Sequence, residues 1–124
     1  MAYSNVGTTP VGVNASADLS AHLNKFVVLD SSAEVALAGA GVHVLGVLQN
    51  KPDAQGKPCA VWGTGSTVKV IAGASVSAGA NVASNAAGLA IAATSGAYIA
   101  GVAQNAAASG ELVTLFLNQP GRLA

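Results

Sequence analysis

The sequence predicts an all-β protein: a small barrel or sandwich with an internal duplication, an extended N-terminal arm and one short helix. Three observations carry that expectation. Eight or nine short apolar runs are separated by Gly, Pro, Asn, Asp and Ser at intervals of roughly 8–12 residues, the rhythm of strands and tight turns. Gly46-Val47-Leu48-Gln49-Asn50 returns 55 residues later as Gly101-Val102-Ala103-Gln104-Asn105, and the register holds without a gap back to Val27 and Val82. Of those 24 pairs seven are identical, and four of the seven fall in the last five pairs, a bunching that an Ala- and Gly-rich alphabet does not readily produce by chance. Third, 27 of the 124 residues are Ala and 15 are Gly, while Val, Ile, Leu and Phe number 32, enough for one modestly cored domain and too many for a disordered chain.

The elements follow in order. Residues 1–16 show no helical period; Thr8-Thr9-Pro10-Val11-Gly12-Val13 alternates weakly, and Pro10 pushes Thr9 towards extended geometry, so this stretch reads as an arm. Residues 17–124 read as a single β domain with repeat halves at about 27–50 and 82–105. Asp18 as N-cap and the Leu19/Leu23 pair predict one or two helical turns up to Asn24. Phe26–Leu29 is the first clear strand, Asp30–Ala33 a turn, and Glu34–Leu37 the returning strand. Ser31 and Glu34 also match a capping box, but the run ends at Gly39 too soon for a helix, which favours the hairpin. Val42–Leu48 is a long apolar strand, and Lys51–Lys57 a polar, solvent-exposed loop bracketed by Pro52 and Pro58. Cys59–Trp62 and Thr67–Ile71 flank Gly63-Thr64-Gly65-Ser66 as a hairpin. The second copy supplies Asn81–Ser84, Leu89–Ala92 and Tyr98–Ala103, and Glu111–Leu117 closes the set before Pro120-Gly121.

Charge is scarce. Only 8% of residues are Asp, Glu, Lys or Arg, against roughly 25% in an ordinary soluble domain, and the net charge is zero. A surface so poor in charge points to one that is largely covered by other protein, with fibrous or small-residue packing as the alternative. Five scattered cations make no footprint for nucleic acid. Residues 70–110 are uncharged, yet Gly73, Ser75, Ser77, Gly79, Asn81, Ser84 and Asn85 interrupt them far short of the roughly 18 apolar residues a membrane span requires. The first residues lack the basic and apolar regions of a signal peptide, so a soluble compartment, with no membrane partner, is expected.

Chemistry-bearing residues are few. His22 and His43 have no carboxylate or thiol near them in sequence to make a base or a metal site; packed or surface histidines are the plainer reading. Cys59 is alone, which excludes an intrachain disulfide and favours a small buried hydrophobe. Gly63–Lys69 superficially suggests a phosphate loop, but the residue order is wrong and no helical pattern follows. Asp30 and Asp53 read as turn residues. No catalytic, cofactor-binding or metal residue is therefore expected, and no enzyme.

Asp18-Leu19-Ser20 running into Phe26–Asp30, Val35–Gly39, Gly46–Asn50, Val68–Gly73, Val76–Val82 and Tyr98–Ala103 together resemble, in their order along residues 17–118, the capsid decoration (cement) proteins of tailed bacteriophages. The resemblance implies a small β-rich, β-tulip-like protein on the outer surface of a virion, made in the host cytoplasm and bridging neighbouring copies of the major capsid protein. It also implies a homo-oligomer, with a trimer favoured. Val6, Thr8, Thr9, Pro10, Val11 and Val13 are the expected contacts with capsid or neighbour, since an extended arm can add a strand to an exposed sheet edge. Two other readings stand beside it: a tail or fibre structural subunit, and a carbohydrate-binding β-module, for which Trp62, Tyr3 and Tyr98 are few aromatic platforms.

Overall fold

A computed structural model of the chain describes residues 11–123. The described residues contain twelve strands and no helix: β1 (Val11–Asn14), β2 (Phe26–Leu29), β3 (Val35–Leu37), β4 (Gly46–Leu48), β5 (Pro58–Trp62), β6 (Thr67–Ile71), β7 (Asn81–Ser84), β8 (Ala90–Ala92), β9 (Tyr98–Ile99), β10 (Gly101–Ala103), β11 (Leu112–Phe116) and β12 (Gly121–Arg122). One five-stranded sheet has the order β1-β5-β4-β2-β3, a second the order β6-β11-β10-β7-β8, and β9 pairs with β12; every ladder is antiparallel. Each five-stranded sheet rolls up until its two edges touch. In the first, Ala15 bridges Val35 in parallel, and in the second Ala72 bridges Ala90.

The duplication is therefore wider than residues 27–50 and 82–105. β1 through β5 have the same strand order and pairing as β6, β7, β8, β10 and β11. Loop bonds repeat as well: the Leu19 N–H donates to the Pro52 carbonyl (2.8 Å) as Val76 does to Ala107 (2.9 Å), and the Gln49 N–H to Ala60 (2.7 Å) as Gln104 does to Thr114 (2.8 Å). Side chains keep the same jobs. Asp30 Oδ1 accepts the N–H groups of Ser32 and Glu34 (both 2.9 Å), and Asn85 Oδ1 accepts those of Ala87 and Leu89 (2.8 and 3.0 Å). Acid and amide are interchangeable here because the turn uses an acceptor and no charge.

Packing follows the same division. Ala15, Leu19, Val27, Val35, Leu48, Cys59 and Val61 fill the inside of the first rolled sheet, and Ala72, Val76, Val82, Ala90, Ala103, Val113 and Leu115 take the matching places in the second. The second set is continuous with a layer between the repeats that includes Phe26, Ala38, Val44, Val47, Val68 and Leu117, with Trp62 half-buried against it. Backbone bonds cross this layer: Phe26 N–H to the Gly88 carbonyl (2.8 Å), Ile71 to Asn24 (2.9 Å), Gly41 to Ser84 (2.9 Å) and Tyr98 to Gly41 (3.0 Å). None has a reciprocal partner in which the repeats exchange roles. The halves consequently pack unlike face to unlike face, not as a two-fold pair.

Four expectations are corrected. The Asp18–Asn24 helix is a single turn: Asp18 Oδ1 caps the Ser20 N–H (2.9 Å), His22 N–H reaches back to the Leu19 carbonyl (3.0 Å), and Asn24 then takes φ 64°, which ends any helical path. Gly63–Ser66 does not close a hairpin, since β5 and β6 belong to different sheets; the Gly65 N–H bonds to Leu117 (2.6 Å) and the segment passes the chain from one repeat to the other. Val42–Leu48 is strand only over Gly46–Leu48, because Gly41, at φ 65°, turns the chain to meet the second repeat. Pro120-Gly121 does not end the sheet structure: Gly121 and Arg122 form β12 against Ile99 and Tyr98.

Candidate functional site

The groups able to do chemistry are dispersed. Cys59 lies in β5 with its side chain inside the first rolled sheet, where burial pushes its thiol up from the ordinary value. His22 Nδ1 sits 3.2 Å from Lys25 Nζ; burial, and then the Lys25 charge, hold its pKa down. Hydrogen bonds from the Ser20 hydroxyl (2.6 Å) and N–H hold the exposed Asp18 carboxyl low. His43 packs edge-on against Tyr98 at 5.6 Å between centroids, with the Arg122 guanidinium 5.1 Å over the other ring. Those aromatics occupy matching places in the two repeats, and the Tyr98–Gly41 backbone bond brings them together. Lys57 Nζ pairs with Asp53 Oδ1 (3.2 Å) on the exposed polar loop. Among the described residues no three His, Cys, Asp or Glu side chains converge to hold a metal ion, and no helix is long and apolar enough to cross a membrane.

The shared Gly-Val-x-Gln-Asn stretch is a structural clip. A Cβ on Gly46 would lie 2.2 Å from the Trp62 carbonyl oxygen, and one on Gly101 would lie 2.1 Å from that of Phe116. Four residues on, Asn50 Oδ1 accepts the Ala60 N–H (2.9 Å) and Asn105 Oδ1 the Thr114 N–H (2.7 Å). The glycine lets two strands approach, and the asparagine satisfies a donor that the ladder leaves free just beyond the approach.

Surfaces remain as the candidates for function. A groove of about 360 Å³ lies where the repeats meet, lined by Gln49, Trp62, Thr67, Val68, Lys69 and Thr114. Among the described residues four large apolar side chains stand exposed: Leu29, Val42, Leu112 and Phe116. Of the residues expected to touch a neighbour, Val6, Thr8, Thr9 and Pro10 lie outside the described residues. Val11 and Val13 lie in β1, opposite Val61 and Cys59 of β5, and Val13 packs against the first core. Their backbone thus adds a strand to this chain's own sheet, with β1 at the end of the strand order. Sequence reasoning missed these four exposed apolar residues, because all of them sit in runs that read as ordinary strand.

No protein family and no curated protein matches the chain. Among solved structures, the N base of the head fiber gp8.5 of bacteriophage phi29 superposes with a TM-score of 0.72 at 19% sequence identity, over 92% of this chain and 96% of that one. This chain has the fold of that head fiber base. The match takes in nearly the whole of both chains, so the tandem of rolled sheets is shared and not one repeat alone.

Proposed function

We propose that this protein is a structural component of a bacteriophage virion, attached to the outer surface of the head. The observation that carries the reading is the near-complete superposition on a phage head fiber base. The scarcity of charge, the dispersal of reactive groups and the exposed apolar side chains agree with a role in contact and not in catalysis. On this reading the protein binds the assembled lattice of the major capsid protein and bridges neighbouring subunits, as a homo-oligomer with a trimer favoured. Nucleic acid and membrane are not partners, and no cofactor or active site is involved. Several modest contacts per oligomer act together through effective concentration, and binding the assembled lattice in preference to free subunits stabilises the lattice by mass action.

The same superposition favours a second reading, in which the domain is the head-attached base of a fibre. Mixing the protein with undecorated, expanded heads and imaging the washed particles by cryo-electron microscopy tests both. Compact density at symmetric lattice positions, bridging subunits, supports the cement role. Density confined to isolated sites and projecting outward supports the fibre base. Heads that stay bare overturn both for that lattice.

A further inference from the structure

The duplication offers an internal control for which surfaces are meant to be covered. Ser84 and Ala97 of the second repeat are 1% and 8% exposed, because both meet Gly41 of the first: the Gly41 N–H donates to the Ser84 carbonyl (2.9 Å), and the Ala97 Cβ lies 3.4 Å from where a Gly41 Cβ would stand. The residues in the matching places of the first repeat are Leu29 and Val42, and they are 46% and 37% exposed. Gly88, buried against Phe26 and Leu37, likewise corresponds to the exposed Ala33. The first repeat therefore leaves bare, and more apolar, the face that its twin buries.

The other side of that internal contact also has a free counterpart. Trp62 of β5 packs against the second repeat, and Phe116 of β11, its match, stands 39% exposed, with Leu112 of the same strand at 45%. Leu112 and Phe116 share one face of β11 with Thr114 between them, since side chains alternate along a strand, and Lys69 of β6 lies opposite Thr114. Asp30 and Glu34 lie beside the Leu29 face, while Lys69 and Glu111 border the β11 face, which leaves one cation there to meet the acidic rim. The remaining corner of this side is occupied. The Gly96 N–H, which matches that of Gly41, donates to the carbonyl of Leu123 (2.7 Å), so β12 and Leu123 sit where a third repeat would continue the stack.

We propose that the Leu29–Val42 face of one copy packs on the Leu112–Phe116 face of β11 in a second copy, and that copies joined in this way close into a ring. One unlike-to-unlike contact covers both exposed pairs, whereas like-to-like contacts need two different interfaces. The chain already makes a contact of this kind between its own halves. The C-terminal strand blocks the corner at Gly96, so the second copy approaches along β11 and does not repeat the internal stacking. The proposal deepens the homo-oligomer part of the reading above. It is measured on the free protein, so its failure is separate from a failure to bind heads.

The test is native mass spectrometry and sedimentation across a dilution series for the wild type, for Leu29→Ser with Val42→Ser, and for Leu112→Thr with Phe116→Thr. All four positions are exposed, so circular dichroism of the variants should match that of the wild type, while their unfolding midpoints should settle at a concentration-independent value as association is lost. The wild type is expected to be oligomeric, with the ring mass giving the copy number. Each double variant should weaken association about 100-fold or more, given the apolar area it removes. Mixed one to one, the two variants should form a heterodimer that neither forms alone, because each retains one intact face. A wild type that stays monomeric at every concentration, variants that assemble like the wild type, a variant that dimerises by itself, or a mixture that yields no heterodimer would each overturn the proposal.

Discussion

The two repeats agree in backbone and differ in what covers them. Turn bonds, the glycine approach and the asparagine clip recur residue for residue. Phe26 is fully buried and Leu37 half-buried between the repeats, but their counterparts Asn81 and Ala92 are exposed. Each repeat thus has one set of residues that answers to its own strand geometry and another that answers to its neighbour. Conservation between the halves tracks the first set, and divergence marks the second.

Substitutions can break this comparison or sharpen it. The largest effect should come at the shared approach. Gly46→Val and Gly101→Val each drive side-chain atoms into a backbone carbonyl that cannot yield, and each should prevent folding, read as loss of soluble protein with dispersed amide signals. Unequal outcomes at the two sites would mean that one repeat tolerates a rearranged clip. Next, Phe26→Ala should cost about 4 kcal/mol in urea unfolding, since the side chain is fully buried, while Asn81→Ala at the matching exposed place should change stability by less than about 0.5 kcal/mol. Equal costs would refute the division of roles.

Smaller still, Asn50→Ala and Asn105→Ala should each cost about 1–2 kcal/mol and combine additively, because each frees one backbone donor in a separate repeat. Asp at either position retains the acceptor oxygen and should recover most of the loss. Ala33 holds φ 61° at an exposed turn, so Ala33→Gly should raise stability by about 0.5–1 kcal/mol. Gly88→Ala should lower it, since the added methyl would lie 2.6 Å from Leu37 Cδ1. The least effect concerns pH. The folded pKa of His22 lies below its ordinary value near 6.5, so its contribution is present above that value and is lost as pH falls through the folded pKa. His22→Gln should flatten the fall of the thermal midpoint as pH drops below 6.5, a small effect given the partial exposure of the ring.

Much of the fold was legible because turns advertise themselves. Asp30 with its serines and Asn85 with Gly88 mark hairpins that the structure contains, and the Gly-Val-x-Gln-Asn echo located the clip. The full extent of the duplication was hidden by changes in loop length. Val13 and Val70 are 57 residues apart and Val61 and Leu115 are 54 apart, so a fixed 55-residue register loses the first and last strands of each repeat. The helix failed because Asp18 caps a turn as readily as a helix, and only the φ of Asn24 decides between them. The candidate surfaces were not legible at all. Leu29 and Leu112 look like any strand residue, and their exposure depends on where the other repeat packs.

The close approach at Gly46 and Gly101 also bears on how such chains drift over generations. A buried valine can give way to isoleucine or alanine with some repacking, but a position with a carbonyl oxygen about 2 Å from any Cβ has no intermediate for selection to pass through. Glycine there should outlast almost everything around it, whereas the asparagine four places on can give way to aspartate, which keeps the acceptor oxygen. Distant kin of this protein that share no recognisable sequence should still carry that glycine twice, and a duplicate that had lost it would have lost the strand crossing with it.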